Sequence, residues 1–221
     1  CFSVVDPKVR VEASIRGNTD TELSAKSQQL DFSVDYTGYP LRDPSEEIKI
    51  VVRQNNRLDN EVQNLKPTYL SAGKLSYVNN PALIFEGGSE YHRFDISGVY
   101  AAGEGVEGIR FEQPYYHAFL INNKIQANRA YVQDVDVNGK YVVNLQNSDE
   151  DDIEADYMYV HFTLPVSSPF FDGQLFVGGE FLNNQMNNTN RMLYSSTAGA
   201  YTQSILLKQG GYNYQYWFVP T

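Results

Sequence analysis

The chain has 221 residues, enough to bury a substantial core in one or two domains. Its net charge of −10, without any basic stripe, argues against binding to nucleic acid or to anionic lipid, because both need clustered cations to meet phosphate groups. No run of the sequence reaches the ~18 apolar residues that span a membrane as a helix. Its single cysteine, Cys1, excludes a disulfide within the chain and any site built from several cysteines.

Alternation of apolar and polar side chains is the main pattern along the first two thirds of the chain. Residues 9–16 alternate in this way, with Val11 and Ile15 on the apolar side, and residues 29–36 repeat the pattern. Short alternating strands separated by turn signals predict a β-sandwich, and no segment predicts a helix longer than two turns. Further segments of this kind are EIKIVVRQ, KLSYV, ALIFE, EYHRFDI, YHAFLIN, RAYVQDV and KYVVNL.

A run of acidic residues interrupts this pattern. Six of the eight residues from Asp149 to Asp156 are acidic, and mutual repulsion keeps such a run out of any core. The sequence therefore predicts an exposed linker over residues 149–154. It would separate a β-sandwich domain of residues 1–148 from a smaller one of residues 155–221, both all-β and of the immunoglobulin-like or early-set type.

The segment GGYNYQYWFVP, residues 210–220, places five aromatic rings within seven positions. On a strand, Tyr212, Tyr214 and Phe218 would face one way and Trp217 the other. Such a strand is apolar on both sides near its end. Two interpretations follow: the rings are buried in a contact between domains, or Trp217 belongs to an exposed platform for a ligand.

The segment DVDVNG, residues 134–139, matches the first half of a calcium-binding loop. Asp134, Asp136 and Asn138 stand at the ligand spacing, but the twelfth position, which needs an acidic residue, is Leu145. The alternative is a β-hairpin that turns on Asn138 and the glycine after it, since Asn-Gly favours the tight turns of hairpins.

Residues with catalytic chemistry do not form a recognisable motif. His92, His117 and His161 each lie inside a strand-like segment, without partners at metal-site spacing, and are interpreted as structural. The sequence has neither a G-x-S-x-G elbow nor a phosphate-binding loop. We therefore predict no enzymatic activity, no catalytic residue and no cofactor.

The segment QNNRLDN, residues 54–60, is unusually polar. Gln54, Asn55, Arg57 and Asp59 can cap a turn, and the guanidinium of Arg57 can bind a nearby carboxylate through two hydrogen bonds. The segment is either the self-satisfied tip of a hairpin or a loop that docks on a partner.

Six stretches, spread in order over most of the chain, carry a family resemblance: VVRQNNRLDN (51–60), LIFEGGSEYHRFD (83–95), PYYHAFL (114–120), DVNGKY (136–141), IEADYMYVHFTL (153–164) and LLKQGGYNYQYWF (206–218). The chain resembles the plug-protein family of the bacterial type IX secretion system. That family tends to have glycine and tryptophan where this chain has Asn56 and Leu58.

The resemblance implies a non-enzymatic periplasmic protein that seals the periplasmic side of a large outer-membrane translocon barrel. This barrel would be its protein partner. The resemblance also implies that the 221 residues are the later part of a longer protein, which would make Cys1 an internal residue rather than the acylated first residue of a lipoprotein.

The second predicted domain is similar to early-set sandwiches of the glycogen-binding kind, through GEFLNN (179–184), Met192 and ILLKQGGYNYQY. Such modules usually carry tryptophan after the paired asparagines, where this chain has Gln185. The similarity nevertheless implies an alternative function, a module that binds an α-glucan-like or cell-envelope polysaccharide.

Overall fold

The structure is a computed structural model that describes residues 8–18, 27–87, 91–122, 139–146 and 151–221. The chain divides into two compact units, Cys1–Gly88 and Ser89–Thr221. Strands dominate both units, so the all-β prediction is confirmed. Within the described residues, no helix has the length and apolar character needed to cross a membrane.

The first unit is built on an antiparallel sheet whose order is β1-β2-β6-β5, with β7 also paired to β2 and a separate β3–β4 hairpin. One helical turn, α1 (Pro44–Glu47), and one 3₁₀ turn (Pro81–Leu83) lie in its connections. Its strands are β1 (Arg10–Gly17), β2 (Ser27–Asp35), β3 (Val51–Val52), β4 (Val62–Gln63), β5 (Tyr69–Ser71), β6 (Lys74–Tyr77) and β7 (Ile84–Glu86).

The core of the first unit lies on one face of this sheet. Phe32 on β2 stacks on Tyr77 of β6, with ring centroids 4.6 Å apart, and Leu75 is fully buried beside them. The apolar residues that cover this cluster come largely from irregular chain between β2 and β5, including Ile48 and Leu65. The layer opposite the sheet is therefore mainly loop rather than a second full sheet.

The edge strand β1 departs from the expected burial. Val11 pairs with Val34 and Ile15 pairs with Leu30, so both continue the core face of the sheet. They are nevertheless 64% and 69% exposed. The covering residues pack on the middle strands of the sheet, whereas the apolar side of β1 is left largely uncovered by the residues that the structure describes.

The second unit contains a nine-stranded sheet of order β11-β16-β13-β14-β15-β12-β10-β9, with β8 also paired to β16. β10 and β12 run parallel, and the other pairs are antiparallel. Its helical turns are α2 (Asp151–Glu154) and a 3₁₀ turn (Glu180–Leu182). Its strands are β8 (His92–Asp95), β9 (Val106–Glu112), β10 (Tyr115–Leu120), β11 (Tyr141–Val143), β12 (Tyr157–Pro165), β13 (Gly173–Gly178), β14 (Arg191–Ser195), β15 (Ala200–Lys208) and β16 (Gly210–Pro220).

The sheet of the second unit folds over itself to enclose a core. Phe162 on β12 lies 5.7 Å from Phe94 on β8 and 5.1 Å from Tyr214 on β16, although three strands lie between β12 and β16 in the sheet order. All three rings are almost completely buried. The two halves of one continuous sheet therefore form the two layers of the sandwich.

The predicted domain boundary at residues 149–154 is corrected by the strand pairing. β10 pairs with β12 across that segment, and β8 and β11 both pair with β16. Residues on both sides of the acidic run thus belong to one sheet, and the division lies between Gly88 and Ser89 instead. The prediction of exposure holds at Ile153, which is exposed. The boundary was misplaced because a solvated turn inside a domain can have the same acidic composition as a linker between domains.

A candidate interaction surface on the outer sheet face

The outer face of β10 and β12 carries rings where a sheet surface usually carries polar side chains. On β12, Met158, Val160 and Phe162 point into the core, so the residues between them point outward. The same alternation applies on β10, where Ala118 and Leu120 are buried. We call the five outward, half-buried rings the aromatic face: Tyr115, His117, Phe119, Tyr159 and His161.

The parallel register of β10 and β12 brings these rings into contact. His117 lies opposite Tyr159, and Phe119 lies opposite His161. Phe119 and His161 stack with planes 7° apart and centroids 4.5 Å apart, and His117 lies 5.2 Å from Tyr159. The edge of Tyr115 meets Tyr159 at 5.4 Å. Each ring of the aromatic face therefore supports another.

Two imidazoles meet directly at the centre of this face. Nδ1 of His117 lies 2.8 Å from Nε2 of His161, and Nδ1 of His161 lies 2.8 Å from the Ser204 hydroxyl on β15. The ring centroids of the two histidines are 5.1 Å apart and their planes differ by 17°. These values place the rings edge to edge, with their nitrogens directed at each other. This is the geometry of a hydrogen bond rather than of two ligands that converge on a metal.

In the described ranges, no three His, Cys, Asp or Glu side chains lie together in a way that could hold a metal ion. The predicted calcium ligands Asp134, Asp136 and Asn138 lie outside the described residues, so that prediction is not tested. Gly139, which follows them, has a φ of +80°, a value that suits a turn.

Charged groups lie at the ends of the aromatic face. The Arg110 guanidinium on β9 lies over the Phe119 ring, 5.0 Å from its centroid, and Lys208 lies 5.8 Å from the ring of Tyr157. Burial lowers the pKa of His161, and the charge of His117 lowers it further, against an opposing effect of the Glu112 carboxylate. Burial and the neighbouring His117 thus favour the neutral form of His161.

The faces of these rings are largely covered by neighbouring groups of the same surface. Phe119 receives Arg110 from the β9 side and His161 from the β12 side. The surroundings of the rings are apolar as well: Tyr157 is 50% exposed, and Leu193 and Leu206 are exposed on the same side of the sheet. The surface therefore offers ring edges and aliphatic groups to a partner, with its rings already fixed in place.

The predicted platform at Trp217 is not exposed. The Trp217 side chain is only 8% exposed, and its indole N–H donates a hydrogen bond to Gln215 Oε1 at 3.1 Å. The ring lies so close to Gly178 that a Cβ atom there would overlap it. Tyr212 and Tyr214 belong to the core, as the alternation of β16 predicts, while Phe218 is partly exposed and packs on Phe170 at 5.2 Å.

The polar segment 54–60 forms a turn whose side chains bond largely to one another, and Gln54 Nε2 also donates to the Glu86 carbonyl at 3.0 Å. Arg57 donates two hydrogen bonds to the carboxylate of Asp59, one of them 2.9 Å long from Nε. This contact lowers the pKa of the Asp59 carboxyl. Gln54 bonds to Asn60, and Asn55 adopts the left-handed conformation that the turn needs. Gln54, Asn55, Arg57 and Asp59 therefore do come together in one turn, whereas Trp217 lies in the other unit.

The aromatic face was missed by the sequence interpretation, although its signal is present. In YMYVHFTL and YYHAF, the positions that alternate with core residues are Tyr, His and Phe instead of charged or small polar residues. A strand that is apolar inward and aromatic outward indicates a second packed or binding surface.

Comparison with known proteins gives a structural relative but no function. No protein-family model matches the chain, and no curated protein matches it. A solved structure described as a hypothetical protein from Parabacteroides merdae is similar over 100% of this chain, with 39% sequence identity and a TM-score of 0.90. At this similarity the two chains share the fold described above. This chain spans 55% of the length of that one.

Proposed function

We propose that the protein is a non-enzymatic interaction module that docks through the aromatic face onto another protein. Following the family resemblance, we further propose that this partner is the outer-membrane barrel of a type IX secretion translocon, approached from the periplasm. The observation that carries the proposal is a set of five half-buried rings, held against one another on the outer face of a sheet.

Fixed rings favour protein association for two physical reasons. Aromatic and arginine side chains are enriched in the centres of protein interfaces, where their large areas are removed from water. Fixing a mobile side chain on binding costs about 0.5–1.5 kcal/mol in conformational entropy. A side chain that is already fixed avoids most of this cost. Phe119, His161 and Arg110 are positioned in this way.

The carbohydrate alternative gains less from the same surface. Sugar rings bind aromatic residues mainly by stacking on an open ring face. Phe119 has neighbours on both sides, and Trp217 is buried. The arrangement therefore supports contact with protein side chains rather than with a polysaccharide.

Site-specific photo-crosslinking in the native host tests the proposal. We expect a benzophenone amino acid at position Tyr157, beside the aromatic face, to form an adduct with the export barrel, identified by mass spectrometry. The same amino acid at Phe171, which is 91% exposed in a loop of the same unit, serves as the control and should not form that adduct. Equal adducts from both positions, or no barrel adduct from Tyr157, would contradict the proposal.

A further inference from the structure

The contacts of His161 with His117 and with Ser204 join three strands across the aromatic face. His117 lies on β10, His161 on β12 and Ser204 on β15, and the two side-chain contacts between them are each 2.8 Å long. Phe119 and Tyr159 flank the pair by stacking on the two imidazoles. The position of the rings therefore depends on this chain of contacts.

The number of protons decides whether the chain of contacts is intact. A hydrogen bond between two imidazoles needs one proton between the facing nitrogens, and either ring can supply it. A neutral pair meets this need, and so does a pair with one added proton. When both rings are imidazolium, an N–H of His117 faces an N–H of His161. The two rings must then separate, because neither nitrogen can accept.

Charged groups of both signs lie around the pair, and the positive ones oppose a second positive charge. Arg110 already lies against the Phe119 ring on which His161 stacks, so a second cation at that ring is repelled by the first. Lys208, on the strand that carries Ser204, adds another positive charge. The carboxylate of Glu112 acts in the opposite direction and favours protonation of His161.

We propose that the His117–His161 contact is an acid-opened latch of the aromatic face, closed at neutral pH and opened when both imidazoles are protonated. An open latch removes the support that holds Phe119 and Tyr159 in place, and docking through this face weakens. Only this last consequence rests on the proposed function. The latch itself is a property of the isolated chain.

The direction of the pH effect follows from the lowered pKa of His161. An unfolded chain protonates its histidines at about pH 6.5, whereas the folded chain takes up the proton on His161 only at lower pH. The stabilisation linked to neutral His161 is therefore complete above pH ~6.5 and decreases as the pH falls below that value, whereas the hydrogen bond between the two rings is lost only when the second proton binds.

A double-mutant cycle measures the latch directly. His117→Asn, His161→Asn and the double variant are unfolded with denaturant at pH 7.5 and at the lowest pH at which the chain still unfolds cooperatively. At pH 7.5 we expect the two positions to be coupled by roughly two- to tenfold in the unfolding equilibrium constant, the range of a single hydrogen bond. At the lower pH we expect the coupling to disappear, because both imidazoles are then protonated. Coupling that is equal at both pH values, or absent at pH 7.5, would overturn the latch.

The third histidine provides a matched control. Burial also lowers the pKa of His92, which packs on Tyr214 in the other layer of the unit. A cycle of His92→Asn with His117→Asn should show no coupling at either pH. If that cycle showed the same coupling as the latch pair, the effect would come from a general change in the fold. This result would overturn the latch.

A measurement without variants keeps the proposal testable if a variant fails to fold. Nitrogen-15 NMR of the imidazoles in the unmodified chain should show His117 and His161 titrating in two coupled steps, whereas independent single-step titrations would contradict the latch. Repeating the Tyr157 crosslink at the lower pH tests the docking consequence separately. A coupling that disappears with acid, together with no barrel adduct at either pH, would leave the latch standing and reject the proposed partner.

Discussion

Gly178 is the residue on which the burial of Trp217 depends. A Cβ atom at this position would overlap the indole ring, so the Trp217 side chain can lie over this point of β13 only where that point carries no side chain. We expect Gly178→Ala to lower the free energy of unfolding by about 1–3 kcal/mol, the range for overpacking a filled core. Thermal unfolding followed by the fluorescence of Trp217, the single tryptophan, measures both the loss and the displacement of the ring.

Gly108 provides the control for this substitution. It also lies in a strand of the second unit, and a Cβ atom there would meet no atom within 4 Å. Gly108→Ala should leave stability unchanged or raise it by about 0.5–1 kcal/mol, because alanine restricts the unfolded chain. A loss at Gly108 as large as that at Gly178 would show that the effect is not steric overlap with Trp217.

At the scale of single elements, the edge strand β1 shows that an alternating strand need not be buried. Ile15 and Leu75 both point to the core side of the same sheet, but Ile15 is largely exposed and Leu75 is fully buried. We expect Ile15→Ser to change the free energy of unfolding by less than about 0.5 kcal/mol, and Leu75→Ala to lower it by about 2–5 kcal/mol. Chemical denaturation of the two variants measures the difference. A large loss at Ile15 would mean that other parts of the chain cover β1.

The same strand shows what alternation in a sequence can and cannot predict. Alternation predicts which side of a strand faces the core, and it does so correctly for β12 and for the tyrosines of β16. It does not predict whether another layer covers that side, since this depends on distant chain. The aromatic face is the converse case. Its rings are visible in the sequence, but their contacts depend on the parallel pairing of β10 with β12, which lie far apart in the chain.

At the scale of the whole molecule, the position of the domain boundary decides which fragment folds. A fragment of residues 155–221 retains β12 to β16 but loses β10, which pairs with β12, and β8 and β11, which pair with β16. Phe162 would then lose its contact with Phe94 in the core. A fragment of residues 89–221 keeps all these strands and the core between them.

We therefore expect residues 89–221 to unfold cooperatively on their own and residues 155–221 to remain unfolded or aggregated. Circular dichroism together with amide proton dispersion in NMR spectra distinguishes the two outcomes. The physical reason is that removing β8 and β10 exposes one side of a buried aromatic core, and each buried large side chain contributes about 1.5–3 kcal/mol through its removal from water. A native-like spectrum from residues 155–221 alone would restore the boundary that the acidic run predicts, and would mean that the pairing of β10 with β12 is dispensable for the fold.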